Sequence, residues 1–209
     1  MLAHTLIAGD TGSGKSWTEN QIVRQLIKDG AELILIDPKL LELHEYKANA
    51  RIYADNPADI SNAVRTAYTI MSARNIDTRS KGLKEYQGKP LYVVIDEMLP
   101  ISMTKDYRKN GTIYYLEQIA VLGRAARVFL IICTQKATRK NIPDLIKTSL
   151  HTRICMRQYD ERDYRYVLDS KVEPIYAEYG ECYLKTVGKP ERIKSDDVVN
   201  ILFGKEAKQ

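Results

Sequence analysis

Gly9-Asp10-Thr11-Gly12-Ser13-Gly14-Lys15-Ser16 matches the phosphate-gripping pattern G-x-x-x-x-G-K-S/T at every fixed position. The apolar run Leu6-Ile7-Ala8 leads into it, and Trp17-Thr18-Glu19-Asn20-Gln21-Ile22-Val23 is suited to opening a helix after it. Strand, loop and helix in that order are the context the pattern requires. Glycines let the backbone curl so that successive N–H groups point inward at phosphate oxygens, and the helix adds the positive end of its dipole. The nucleotide-binding stretch is read as Gly9, Asp10, Thr11, Gly12, Ser13, Gly14, Lys15, Ser16 and the adjoining Trp17. Lys15 is expected at the β- and γ-phosphates, and the Ser16 hydroxyl on Mg²⁺.

Outward from this loop, apolar Ile22, Val23, Leu26 and Ile27 repeat at helical spacing until Asp29-Gly30, where a helix ends. Leu33-Ile34-Leu35-Ile36, Leu91-Tyr92-Val93-Val94-Ile95 and Val128 to Cys133 are fully apolar runs, the mark of strands buried on both faces. Arg153 to Met156 and Glu181 to Leu184 read as two more. Helices are expected over Pro57 to Arg74, Ile113 to Ala126, Glu161 to Leu168 and Asp196 to Leu202. Asn75 to Pro90 reads as an exposed loop or frayed helix end, with Arg79, Lys81, Lys84 and Lys89, and Lys136 to Thr152 as a basic stretch interrupted by Pro143. The alternation predicts an α/β fold with a mostly parallel, twisted sheet flanked by helices.

At 209 residues the chain fits one domain. No apolar run approaches the roughly 20 residues that cross a bilayer. The N-terminus lacks the series of basic region, apolar core and cleavage site, so no signal peptide is expected. A net charge of +5 fits a nucleic-acid partner and fits a solvated basic surface equally well. Cys133, Cys155 and Cys182 lie in or beside strand-like runs without C-x-x-C spacing, which reads as three reduced core thiols of a cytoplasmic protein. His4, His44 and His151 stand isolated, so no structural metal is expected, and Mg²⁺ arrives with the nucleotide.

The strand Leu91–Ile95 ends in Asp96-Glu97. Asp96 at a strand's carboxyl end is placed to hold Mg²⁺ through its water shell, and Glu97 to polarise a water for attack on the γ-phosphate. Gln135 also ends a buried strand and should face the same crevice, where its amide senses the γ-phosphate or orients the attacking water. Lys15, Glu97 and Gln135 are therefore the catalytic candidates read from chemistry.

Several strings together resemble the motor domain of the FtsK/SpoIIIE DNA translocases, in the FtsK-HerA branch of P-loop ATPases. His4 to Gly9 runs into the phosphate loop, and Asp37-Pro38-Lys39-Leu40-Leu41-Glu42-Leu43 follows. The likeness continues through Val93 to Glu97, Gly123-Arg124-Ala125-Ala126, Cys133-Thr134-Gln135, Leu145-Ile146-Lys147, Thr152-Arg153-Ile154, Asp163 to Asp169 and Gly180 to Leu184. It covers nearly the whole chain. The resemblance implies a RecA-like core assembled as a ring, usually a hexamer, around double-stranded DNA, with ATP between subunits. It makes Arg124 the candidate arginine finger for a neighbour's γ-phosphate, with Arg127 and Arg153 competing for that role. It places DNA-tracking loops after Gln135, with Lys136, Arg139, Lys140 and Lys147, and before the Leu91 strand.

Departures are local. Trp17 stands where the family has a smaller apolar residue and is expected to pack, and Asp96-Glu97 continues as Met98-Leu99-Pro100. Nothing matches the family's membrane-spanning region, preceding domain or winged helix. Residues 1–209 thus read as a single motor domain, a motor-only protein or an excised piece, meeting membranes only through partners or missing regions. The leading expectation is an ATP-driven duplex-DNA translocase of a mobile element, phage, plasmid or partition system. A related ATPase energising protein secretion or conjugative coupling, and a degenerate copy that binds nucleotide without turnover, stay beside it.

Overall fold

The computed structural model describes residues 3–104, 106, 109–176 and 179–204. Strand β1 (Thr5–Ala8) runs through the glycine loop into helix α1 (Lys15–Lys28), and β2 (Glu32–Ile36) follows. A 3₁₀ turn at His44–Asn49 leads to β3 (Ile52–Ala54), α2 (Pro57–Ser80), β4 (Leu91–Ile95), α3 (Leu99–Met103) and α4 (Thr112–Leu122). Then come β5 (Val128–Thr134), α5 (Asp144–Ser149), β6 (Thr152–Cys155), α6 (Glu161–Leu168), β7 (Glu181–Lys185), β8 (Glu191–Lys194) and, after a 3₁₀ turn, α7 (Val198–Phe203).

The eight strands form one sheet in the order β3-β2-β4-β5-β1-β6-β7-β8. Pairing is parallel from β3 across to β6, and β7 and β8 add an antiparallel edge. Strand residues alternate between two cores, as the two-residue period of a pleated strand requires. Leu6, Ile34, Ile36, Val93, Ile95, Leu130 and Ile132 meet Val64 and Ala67 of α2, Leu116 of α4 and Val167 of α6. Ile7, Leu33, Leu35, Val94, Ile131 and Cys133 meet Ile22, Val23 and Leu26 of α1 and Val198 of α7. Both faces are covered, which is why the strand sequences read as unbroken apolar runs. Cys133, Cys155 and Cys182 are buried and unbridged, as expected.

Boundaries shift where polar residues do the packing. Helix α2 runs six residues beyond the expected Arg74 because its inner face continues as buried Arg74 and Thr78. Arg74 donates to Glu32 at 2.8 Å and lies 4.5 Å from the centre of the Tyr86 ring. Left-handed Gly82 (φ +65°) follows the end of this helix. Helix α4 stops four residues short of Ala126, where Arg127 turns left-handed (φ +52°) and the Val128 N–H bonds back to the Gly123 carbonyl at 2.9 Å, a turn so close that a Cβ on Gly123 would lie 2.2 Å from the Val128 carbonyl. Strands β3 and β8 and helices α3 and α5 had no counterpart among the expectations.

Candidate nucleotide site

Parallel topology brings the carboxyl ends of β1, β4 and β5 to one edge of the sheet, and the predicted chemistry collects there. Gly12 (φ +76°) and Gly14 (φ +92°) adopt left-handed backbone, which an L-residue with a Cβ resists. Gly9 is held for another reason: a Cβ would lie 2.4 Å from Ser13 Oγ and 2.9 Å from Met156 Cβ. The Ser13 N–H donates to the Asp10 carbonyl at 3.1 Å, closing the loop on itself. The rim is tied to the strand end beyond it: Asp10 N–H donates to the Arg157 carbonyl at 3.0 Å, the Arg157 guanidinium donates to the Thr11 carbonyl at 3.2 Å, and the Tyr159 N–H donates to the Asp10 carboxylate. Helix α1 carries no acidic residue in its first turn, so its amide end keeps its positive character toward the cavity.

Lys15 is buried, with Nζ 3.2 Å from Asp96 Oδ1 and 3.9 Å from Glu19 Oε2. Burial opposes its charge, but the ionisable Cys133, Glu19 and Asp96 around it outweigh burial and raise its pKa. Glu19, one helical turn on and 1 % exposed, is a member of the site that the sequence reading left out. Its carboxyl lies among Lys15, Asp96 and Cys133, and burial, opposed by Lys15, pushes it well above the usual carboxylate range. Spacing alone carried the signal: Lys15, Glu19, Ile22, Val23 and Leu26 share the inner face of α1.

Glu97 is fixed by four donors: Thr134 Oγ1 to Oε1 at 2.8 Å, the Leu99 N–H to Oε1 at 3.2 Å, and the Gln135 N–H and Lys39 Nζ to Oε2, each at 3.2 Å. Lys39 lies within the Asp37–Leu43 string, and its contact with Glu97 gives that string a physical reason. Asp37 accepts from the Leu41 and Leu43 N–H groups and from the Tyr53 hydroxyl at 3.0 Å, which folds the chain back after Pro38 and turns Lys39 toward Glu97. Burial and the bond to Asp37 raise the Tyr53 hydroxyl to about 12. Gln135 turns its side chain to the phosphate loop, where Thr11 Oγ1 donates to its Oε1 at 3.4 Å.

A cavity of about 790 Å³ fronts the loop, lined by Asp10, Thr11, Gly12, Gly14, Lys15, Ser16, Trp17 and Gln135, among others. For Mg²⁺, the donor set fits: Ser16 lines the cavity, and Asp96 Oδ2 is a buried oxygen with no hydrogen-bond partner among the described residues. Trp17, read both as a packing residue and as part of the nucleotide-binding stretch, lines this cavity. It is 45 % exposed on the cavity wall.

The remaining candidates separate. Lys136, Arg139 and Lys140 are exposed directly after Gln135, with Arg139 3.6 Å from Asp144. Lys147 leaves that set: it is buried, pairs with Asp169 and sits 4.4 Å from the centre of the Tyr166 ring. A groove beside Arg139 adds Arg162 and Arg165 of α6, which the sequence reading missed. The segment before β4 lies at the opposite edge of the sheet, since β4 and β5 run parallel, so the two expected DNA loops do not adjoin within one chain. Arg124 is exposed at that opposite edge, sharing a groove with Lys84 and Glu85. Of its competitors, Arg153 is buried and bound to the Leu150 and Val167 carbonyls and Asp169, and Arg127 donates to the Gly88 carbonyl at 3.0 Å.

Residues 1–120 match the family model described as helicase HerA, central domain. The DNA translocase FtsK of Campylobacter jejuni is 29% identical over 90% of this chain, which corresponds to 22% of that protein. The chain spans between 22% and 32% of the length of the curated relatives it matches. Among solved structures, the pCW3 conjugation coupling protein TcpA, in its monomer form with ATPγS, superposes with a TM-score of 0.80 at 24% identity, over 97% of this chain and 64% of that one. The cytoplasmic domain of the Thermomonospora curvata type VII secretion ATPase EccC gives 0.71 at 22% identity, over 91% of this chain and 25% of that one. These structures share the fold, a mostly parallel P-loop sheet flanked by helices. Among the described residues no helix is long and apolar enough to cross a membrane.

Proposed function

The chain belongs to the family of the HerA helicase central domain, and on that footing we propose that it is an ATP-hydrolysing motor that moves double-stranded DNA as a ring of identical subunits. Continuity carries this reading: Gln135 lines the phosphate cavity and contacts Thr11, and the exposed cations Lys136, Arg139 and Lys140 follow it in the chain. A change at the phosphates has one residue to cross before it reaches a basic surface suited to a phosphodiester backbone.

Within the site, backbone N–H groups of Gly12 to Ser16 hold the phosphates and Lys15 neutralises the β–γ bridge, leaving Asp96 as the charge it now contacts. Ser16 and Asp96 would hold Mg²⁺, which when bound would withdraw charge from the phosphate oxygens. Glu97 accepts the proton of the attacking water, and Gln135 places that water or reads the γ-phosphate. Arg124 of one subunit completes the site of the next.

The test is ATP turnover with and without long duplex DNA over a range of salt, combined with sizing of the complex. Stimulation that fades as salt rises, together with a ring-sized assembly, is the expected result. Turnover indifferent to DNA but raised by a secreted protein would transfer the motor to protein cargo, and turnover equal in Lys15→Ala would end the enzyme reading.

A further inference from the structure

The outer turn of the phosphate loop is gripped by Arg157, which lies just past the end of β6, the strand beside β1. Its carbonyl accepts the Asp10 N–H at 3.0 Å, and its guanidinium donates to the Thr11 carbonyl at 3.2 Å. Thr11 and Gly12 line the cavity, and Arg157 is not among the lining residues. A peptide unit is planar and trans, so its C=O and N–H point in opposite directions. A bond that draws the Thr11 carbonyl outward therefore turns the Gly12 N–H toward the cavity, where it meets no acceptor among the described residues. Little else holds this peptide. The Asp10–Thr11 unit is closed by the Ser13 N–H on the Asp10 carbonyl at 3.1 Å, but the next unit ends in Gly12 (φ +76°), and glycine takes either sign of φ with similar ease. Turned over, the unit would set a carbonyl oxygen against the phosphates. Arg157 is itself fixed. Its guanidinium carbon lies 5.3 Å from the centre of the Tyr159 ring, a cation–π distance, and the Tyr159 N–H donates to the Asp10 carboxylate. Its Nε is buried with no partner among the described residues, a cost that packing alone does not explain.

We propose that Arg157 is a positioning residue for the triphosphate: by drawing the Thr11 carbonyl outward, it aims the Gly12 N–H at the phosphates. The inference rests on the reading of this cavity as a nucleotide site. Arg157 acts through the backbone and does not itself touch the ligand. Thr11 Oγ1 also donates to Gln135 Oε1 at 3.4 Å, so a loop that slackens at Thr11 loosens Gln135 as well.

The full chain and its variants are titrated with Mg²⁺-ATP and Mg²⁺-tripolyphosphate by calorimetry, with ATP turnover and nucleotide-free urea unfolding measured alongside. Arg157→Met keeps the apolar stem and loses the donor. It should bind both ligands roughly ten- to 100-fold more weakly, turn over more slowly at saturating ATP, and unfold at the parent's midpoint. The loss should persist at about 0.5 M salt, where a long-range charge effect is screened. Arg157→Lys keeps a donor and should regain most of the affinity, a rescue that a packing role would not give. Tyr159→Ala, at a residue 80 % exposed, should weaken both ligands in the same sense, and it decides the matter where Arg157→Met fails to fold: unchanged affinity there counts against the clamp. Tripolyphosphate bound by Arg157→Met as tightly as by the parent overturns the clamp and spares the nucleotide site. A loss that Arg157→Lys does not regain, or that vanishes in salt, overturns it too. No heat from the parent with either ligand overturns the site itself.

Discussion

His4 offers the sharpest test of how this sheet is held together. Its Nδ1 accepts the Leu130 N–H at 2.9 Å, its ring meets Phe129 edge-on with centroids 5.6 Å apart, and 4 % of it is exposed. Burial, with a smaller push from His151, lowers its pKa from 6.5 to about 4. Between those values the unfolded chain holds a proton that the folded one excludes, so stability is complete above pH 6.5 and drains away as the pH falls toward 4. Each full unit is worth about 1.4 kcal/mol; the two values imply a loss of about 1.4 kcal/mol at pH 5.5, growing to about 3 kcal/mol near pH 4. Urea unfolding from pH 7.5 to 5.5 reads this before most carboxylates titrate. His4→Gln keeps an acceptor for Leu130 but no proton to take up, so its slope over that window should be flatter by the whole of that amount. An identical slope in parent and variant would show that His4 is not held neutral, and the burial argument would fail.

Lys39→Met removes the cation from Glu97 Oε2 and leaves the Thr134, Leu99 and Gln135 donors; DNA-free ATP turnover should rise severalfold, and a fall would mean Lys39 assists rather than restrains Glu97. Asp169→Asn keeps the left-handed backbone (φ +49°) but unpairs the inward-facing Arg153 and Lys147. A loss of about 1–3 kcal/mol in urea unfolding is expected, less than for a fully buried pair because Asp169 is half exposed. Replacing Lys136, Arg139 and Lys140 together by alanine should flatten the salt dependence of DNA binding by about 2–3 in log–log slope. Lys147→Met should instead lower the unfolding midpoint with that slope intact, and the reverse pattern would return Lys147 to the DNA face.

What the residues declared in advance were the contacts made locally. The phosphate loop, the apolar strands and the acidic pair after β4 each advertise themselves within a few positions, because their chemistry is set by backbone shape and by burial on both faces. The helix Glu161–Leu168 was legible to the residue, with Asp160 accepting from the Arg162 N–H as its cap. Strand β8 was not, since Glu191-Arg192-Ile193-Lys194 is an edge strand with little to bury. Lys39 on Glu97, Lys147 on Asp169 and Arg157 on Thr11 are joined only by topology, and no spacing announces them. Lys147 shows the cost of reading charge by position: in sequence it continues a basic run, yet a single turn of α5 carries it inward to a carboxylate. Glu19 was legible and missed, because an acidic residue on a helix is read as solvated before its phase is counted.

Direction is the deepest consequence of a parallel sheet. Every strand from β3 to β6 points its carboxyl end to the same edge, so the phosphate loop, Asp96, Glu97 and Gln135 must gather there. The turns that precede those strands must gather at the other edge, Arg124 and the groove with Lys84 and Glu85 among them. No rearrangement of side chains brings Arg124 to the cavity of its own chain, because the length of β5 stands between. A role for it in hydrolysis therefore requires contact between unlike edges of two copies. Such a contact is heterologous, and a heterologous contact repeated by identical subunits either closes into a ring or runs on as a filament. The proposed finger role of Arg124 and the polarity of the sheet are therefore tested together: an assembly joined through like edges would leave Arg124 without a site to serve, and that role would fall with it.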